Sequence, residues 1–168
     1  MDDKFVELVK KESEKRQKGI LSAKAIERRR NWWIKEVTDL FDKVKSWLNP
    51  LIEDGTLEFE TSDLQINEEW LGLYTVKMAV IRLGVDKLEM TPVGSIILGS
   101  FGRIDLKGPN DERMLILEAT PGTEETDFEP KDGQWFIVKR EQNRRFKSEL
   151  TKATFEQLFM GLFGINAL

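Results

Sequence analysis

Residues 70–83, Trp-Leu-Gly-Leu-Tyr-Thr-Val-Lys-Met-Ala-Val-Ile-Arg-Leu, are the stretch that decides the fold. They are rich in β-branched and aromatic side chains, which favour an extended strand. The segment Gly84-Val85-Asp86-Lys87 follows as a predicted hairpin turn into a second strand at 88–90. Strands joined by such a short turn predict an antiparallel sheet, because a parallel crossover needs a dozen or more residues.

The chain after this hairpin continues as further predicted strands joined by short turns. Thr91-Pro92 is expected to end the strand at 88–90, because proline cannot donate to a ladder. Residues 120–133 are a predicted acidic loop. Further strands are predicted at 57–66, 96–98, 103–106, 114–119 and, as the last one, 134–140. The pattern predicts an antiparallel β-meander of about six to eight strands.

Helical periodicity flanks this sheet on both sides. From Ile26 to Leu51, apolar residues recur at the three- and four-residue spacing of one helix face, and Asn49-Pro50 is expected to end the helix. Near the other end of the chain, Thr151 is a predicted N-cap and Gly164 a predicted stop signal. The sequence therefore predicts an α+β fold, with a long N-terminal amphipathic helix, the meander, and a C-terminal amphipathic helix packed on the sheet.

Residues 1–19 are predicted to be a charged extension of a single domain at 20–168. Residues 10–18 contain no apolar side chain, so a helix there is expected to fray or to lie against a partner. The reason is that side-chain pairs on a helix contribute only about 0.2–0.5 kcal/mol each. The extension also carries a small apolar patch, which we expect to dock back on the domain or to engage another subunit. The patch consists of Phe5, Leu8 and Val9.

The charges are distributed unevenly along the chain. Residues 1–48 hold 13 basic and 9 acidic groups, a balance of +4, whereas residues 49–168 hold 13 and 21, a balance of −8. The net charge of −4 therefore joins a basic helical segment to an acidic sheet. This asymmetry is the main indication of a partner in the sequence.

The residue types that are absent narrow the chemistry. The chain has no cysteine and no histidine, which excludes disulfides, thiolate nucleophiles and histidine-dependent catalytic dyads, as well as the usual zinc ligands. No cofactor is predicted. No run of about 18 apolar residues occurs, so no membrane span is predicted, and we expect a cytoplasmic protein.

Asp105 and Glu118 are the candidate catalytic residues. The segment 102–120 resembles the Asp…Glu-x-Lys arrangement of metal-dependent nucleases, in which the two carboxylates sit on paired strands. The resemblance implies that the carboxylates hold a divalent cation, which activates water for phosphodiester hydrolysis. Thr120 stands where those enzymes have the lysine. A divalent-metal-dependent nuclease is therefore an alternative function and not the favoured one.

A basic cluster beside two tryptophans gives a second alternative. Arg28, Arg29 and Arg30 precede Trp32 and Trp33, and arginine next to an exposed aromatic ring suits phosphate contact combined with base stacking. The cluster thus predicts a nucleic-acid binder that acts through the basic N-terminal helix. The competing interpretation places Trp33 in the core and the arginines on a solvated face.

The favoured function is a non-catalytic protein–protein interaction module. Trp32 and Trp70 fall off the apolar stripes, and exposed tryptophan is typical of interfaces. Met160 lies on the off-stripe side of the last helix and is the third interface candidate. An immunity protein, an antitoxin or an accessory subunit would be of this kind. The expected partner is another protein or a second copy of the same chain.

Overall fold

Seven antiparallel strands and three helices make up the described part of the chain. The computed structural model describes residues 2–95, 100–119 and 133–166, except for the side chains of residues 18–22, 119 and 140. The helices are α1 (Asp3–Trp47), α2 (Asn49–Glu53) and α3 (Lys152–Phe163). The strands are β1 (Glu58–Glu68), β2 (Gly72–Leu83), β3 (Asp86–Gly94), β4 (Gly102–Lys107), β5 (Glu112–Ala119), β6 (Gly133–Glu141) and β7 (Arg144–Glu149).

The strands form one sheet in which each strand pairs with its neighbours in the sequence. The order is β1-β2-β3-β4-β5-β6-β7, and every pair is antiparallel. The predicted α+β class and the predicted meander are therefore confirmed. Short turns explain this order, because they leave each strand next to the one that precedes it.

Both long helices contribute to the same hydrophobic core. Trp33 of α1 and Leu162 of α3 belong to the cluster that contains Ile104 and Leu115. These last two residues lie opposite each other on β4 and β5, so their side chains point to one face of the sheet. That face is covered by α1 and α3, as the sequence predicts for the C-terminal helix.

The first helix is longer than the apolar periodicity indicates. It begins at Asp3. Asp2 is the N-cap residue, and its side chain accepts a hydrogen bond from the backbone N–H of Lys4 at 3.1 Å. Residues 10–18, which the sequence predicts to fray or to lie against a partner, are helical. The expected stop is found, since α1 ends at Trp47, but α2 starts directly afterwards with Pro50 in its first turn. Proline is favoured there because the missing N–H would have no helical partner in any case.

The predicted strand end at Thr91-Pro92 is wrong. Strand β3 continues to Gly94, with a bulge between Pro92 and Gly94. Its pairing with β2 covers only Asp86–Met90, so Pro92 lies beyond that ladder. A proline is tolerated at such a position, at a bulge and outside the fully paired part of the sheet.

Residues 134–140 are a strand, as predicted, but the prediction that this strand is the last one is wrong. After β6, Gln142 and Asn143 turn the chain with φ values of 44° and 65°, and β7 follows. Two central residues with positive φ are typical of a tight two-residue hairpin. All six side chains of β7 are exposed, so the strand shows no apolar alternation in the sequence. The predicted strand at 96–98 and the predicted loop, apart from Gly133, lie outside the described residues.

The C-terminal helix agrees with its prediction. Thr151 accepts a hydrogen bond from the backbone N–H of Thr154 at 3.1 Å, and the two residues form a capping box. Gly164 ends the helix in the left-handed conformation, with φ at 72°. The buried side chains of α3 are Phe155, Leu158, Phe159 and Leu162.

The position of α1 on the sheet depends on a close approach at Gly102. A Cβ atom there would lie 2.1 Å from the ring of Trp33, which is fully buried. We expect Gly102→Ala to lower the free energy of unfolding by about 1–3 kcal/mol or more, because the indole must move within a packed core. Urea unfolding measures this change.

Gly161→Ala is the matched control for that substitution. Gly161 lies within α3 and a Cβ atom there meets nothing within 4 Å, so the same chemical change should leave stability unchanged or raise it by up to about 1 kcal/mol. Equal unfolding midpoints for Gly102→Ala and the wild-type chain would contradict the proposed close contact.

Candidate functional site

The first 22 residues of α1 extend beyond the domain. Between Lys4 and Lys24 every described side chain except that of Val6 is exposed, and contact with the core begins only at Ile26. We call residues 3–24 the projecting helix. At 1.5 Å per residue it is about 33 Å long. Sequence periodicity alone did not indicate a continuous helix here, because residues 10–18 are all polar.

The projecting helix keeps its apolar side chains in water. Phe5 is 56% exposed, Leu8 58% and Val9 53%. These residues lie three and four positions apart, so they share one side of the helix. The predicted apolar patch is therefore present, and in the described structure it does not dock back on the domain.

A second exposed apolar group lies on the turn between β1 and β2. We call residues 69–73 the hairpin tip. Trp70 is 64% exposed and Leu73 is 62% exposed, whereas Leu71 between them is buried in the core. The exposure of Trp70 agrees with its off-stripe position in the sequence. Leu73 was not predicted, because within the apolar run 70–83 nothing distinguishes it from the buried residues.

The hairpin tip lies against α1 at the point where the projecting helix leaves the domain. The guanidinium of Arg30 donates to the backbone carbonyl of Leu71 at 3.0 Å. Leu8 and Ile26 are 18 residues apart, which is about five helical turns, so they point in the same direction. Arg30, one turn after Ile26, points the same way. The two exposed apolar groups therefore lie on the same side of α1, and we call them together the helix–tip surface.

Arg29 is directed into the protein. Its exposed fraction is 4%. It donates from Nε to the Ser95 hydroxyl at 2.7 Å, and from Nη2 to the carbonyls of Ser95 and Phe101 at 3.0 and 3.1 Å. The guanidinium also lies over the rings of Trp32 and Phe101, at 5.2 and 4.7 Å from their centroids. Arg29 thus joins α1 to both sides of the β3–β4 connection and is withdrawn from the surface.

A carboxylate and a phenol complete this buried network. Glu68 accepts from the backbone N–H of Ser95 at 3.0 Å and from the hydroxyl of Tyr74. Burial lowers the pKa of Arg29 to about 10, although the charge of Glu68 acts in the opposite direction. Burial and the hydrogen bond to Glu68 raise the pKa of Tyr74 well above its usual range. Arg29 therefore stays charged and Tyr74 stays neutral at pH 7. The network holds together the residues on either side of the hairpin tip.

The remaining predicted binding residues are separated from one another. Trp32 is half-buried and meets Phe101 edge to face, with ring centroids 6.4 Å apart. Arg28 is exposed, Arg29 is buried, and Arg30 donates to the carbonyl of Leu71. The three arginines therefore do not form one exposed basic patch. Met160 is half-buried on α3.

Asp105 and Glu118 lie on the sheet face opposite the core and do not converge. Asp105 is opposite Met114, so Glu118 is four residues further along β5, about 13 Å away at strand spacing. Two ligands of one divalent cation must lie within about 5 Å of each other, since metal–oxygen distances are about 2.0–2.6 Å. Each carboxylate instead forms a salt bridge with a basic side chain, Asp105 with Arg103 at 2.7 Å and Glu118 with Lys147 at 2.9 Å. The described residues contain no group of three acidic side chains placed to hold a metal.

No protein-family model, curated protein or solved structure matches this chain. Within the described ranges, none of the helices combines the length and the apolar character needed to cross a lipid bilayer.

The buried network predicts that replacing Arg29 destabilises the protein much more than replacing Arg28. Arg29→Ala leaves the buried carbonyls of Ser95 and Phe101 without their charged donor, and we expect it to lower the free energy of unfolding by about 3 kcal/mol. Arg28→Ala, at an exposed position, should cost less than about 1 kcal/mol. Urea unfolding of both variants measures the difference. Equal losses would show that Arg29 does not hold the network together.

Tyr74 makes the stability depend on alkaline pH. Its folded-state pKa is raised above the usual 10, so the neutral phenol contributes stability that is complete below pH 10 and is lost as the pH rises above that value. At pH 7 we expect Tyr74→Phe to lower the free energy of unfolding by about 1–2 kcal/mol, because Glu68 loses a donor. The difference between the two chains should shrink from pH 10 upwards. A difference that stays constant between pH 7 and 11 in urea unfolding would contradict this prediction.

Proposed function

We propose that this protein is a non-catalytic, cytoplasmic protein–protein interaction module that binds its partner through the helix–tip surface. The observation that carries the proposal is the projecting helix itself, whose apolar side chains lie in water at the end of a continuous helix. An immunity protein, an antitoxin or an accessory subunit would use such an element in the same way, by presenting a preformed helix to a partner.

The energetics of the projecting helix support a partner. Between Lys4 and Lys24 every described side chain except that of Val6 is exposed, so the domain covers no apolar face of this part of the helix. In the projecting helix, Arg16 and Glu12 form an ion pair at 3.2 Å, and a solvent-exposed pair of this spacing contributes only about 0.3–0.5 kcal/mol. Most helix stability in proteins comes from covering an apolar face. A partner that covers Phe5, Leu8 and Val9 would supply that stabilisation.

The composition of the helix–tip surface is also that of a binding site. Trp70 and Phe5 are large and rigid, and aromatic residues dominate the energy of protein interfaces. The surface offers apolar contact and few fixed polar groups, which suits a protein partner more than a small molecule. The two carboxylates of the nuclease alternative are occupied by Arg103 and Lys147, so they add nothing to this surface.

Site-specific photo-crosslinking in the producing cells tests the proposal. A benzophenone side chain at Leu8 or at Trp70 should give a discrete ultraviolet-dependent adduct with a protein. The same group at Lys35 should not, because Lys35 is exposed on the solvent side of the same helix, away from the helix–tip surface. An excess of the unlabelled chain should compete for the adduct, whereas an excess of the Phe5→Asp/Leu8→Asp variant should not.

Two results would overturn the proposal. One is the absence of any competed adduct from Leu8 and Trp70. The other is an equal adduct from Lys35. Since Phe5 and Leu8 are exposed, the double variant should unfold at the same temperature as the wild-type chain at a protein concentration at which both are monomeric, which separates lost binding from lost folding.

A further inference from the structure

The helix–tip surface has a self-complementary layout. One apolar group, around Leu8, lies near the start of α1, and the other, around Trp70, lies where the hairpin tip meets Arg30. Both groups face the same side of the helix, as the five-turn spacing of Leu8 and Ile26 shows. Between them, residues 10–17 are entirely polar. The helix–tip surface therefore consists of two apolar groups, with a polar segment of the helix between them.

We propose that the partner of this surface is a second copy of the same chain. This inference rests on the proposed function and names its partner. The two projecting helices run antiparallel about a two-fold axis, so that Phe5 and Leu8 of each copy contact Trp70 and Leu73 of the other. In such an isologous interface the same patch serves both subunits, which requires a surface that matches its own rotated image.

The position of the domain on α1 selects the antiparallel arrangement. From Arg30 onwards the sheet covers the same side of α1 that carries Leu8. In a parallel pair the two sheets would have to occupy the same space between the helices. In an antiparallel pair each domain lies beyond the N-terminal end of the other helix, where the space is open. Residues 10–17 of each helix then run alongside residues 17–24 of the other.

The exposed apolar area supplies most of the interface that a stable dimer needs. Five side chains in each copy are more than half exposed, which makes ten across the two-fold axis. At roughly 100 Å² each they supply on the order of 1,000 Å² of apolar surface. A specific interface buries about 1,200–2,000 Å² in total, and the polar residues between the two ends provide the remainder. These side chains are Phe5, Leu8, Val9, Trp70 and Leu73.

Sedimentation of the purified full-length chain tests the oligomeric state. The wild-type chain should be a concentration-dependent dimer. Phe5→Asp/Leu8→Asp places four charges in the dimer interface, and we expect it to raise the dissociation constant at least about 100-fold. A wild-type chain that stays monomeric at high concentration, or a dimer that the double variant does not weaken, would overturn the inference.

Cross-linking of single cysteines tests the antiparallel geometry, and the cysteine-free sequence makes each introduced thiol unique. Position 17 is midway between Leu8 and Ile26, and Lys15 is two turns after Leu8, so Lys15→Cys lies close to the two-fold axis on the facing side of the helix. It should join to its symmetry mate through a short bis-maleimide. Gln17→Cys is the control, because two residues turn the side chain by about 200° to the far side of the helix. Equal cross-linking of the two variants would overturn the geometry.

Failure of the second-copy inference can be distinguished from failure of the proposed function. A monomeric chain whose Leu8 adduct contains a different protein contradicts the second-copy inference and leaves the proposed function in place. A monomeric chain without a competed adduct contradicts both. A dimer that cross-links through Lys15→Cys and gives an adduct of twice the chain mass supports both.

Discussion

The contact between Trp33 and the backbone of Gly102 fixes the position of α1 on the sheet, and the position of the projecting helix depends on it. An indole that packs directly on a strand leaves no freedom for α1 to slide or rotate on the sheet, because interiors are packed as densely as organic crystals. The ring centroids of Trp33 and Trp135 are 6.0 Å apart, so the same indole also contacts β6. With α1 held at this point, the direction of the projecting helix follows from the geometry of a straight helix.

The buried arginine network adds a second, polar restraint close to the first. Arg29 precedes Trp33 by one turn and binds the residues on either side of the β3–β4 connection. Buried charges are tolerated when their hydrogen bonds are satisfied, and here a carboxylate on β1 lies in the same network. The network therefore connects α1, the end of β1 and the start of the hairpin tip. It explains why an exposed tryptophan can be held in a defined position on a short turn.

The sequence predicts the fold well where the signals are local. The periods of 2 and 3.6 residues, the Thr151 cap and the Gly164 stop are properties of neighbouring residues, and they give the meander and its helices correctly. Strand β7 could not be predicted in this way, because a fully exposed edge strand carries no apolar alternation and is rich in charge. The site is less predictable still. Trp32 and Trp70 fit the same off-stripe criterion, yet Phe101 covers one and nothing described covers the other. Likewise, the burial of Arg29 depends on Ser95, 66 residues away.

The continuity of α1 couples the length of the chain to the direction in which its N-terminal apolar group faces. Every residue adds 100° of rotation as well as 1.5 Å of rise. Inserting one residue between Leu8 and Ile26 would turn the N-terminal apolar group by more than a quarter of a circle relative to the hairpin tip. Seven inserted residues would lengthen the helix by about 10 Å and change its direction by only about 20°. The number of residues in the projecting helix therefore sets both the distance and the relative direction of the two apolar groups. Insertions or deletions keep the two groups on the same side of the helix only when they add or remove nearly whole turns.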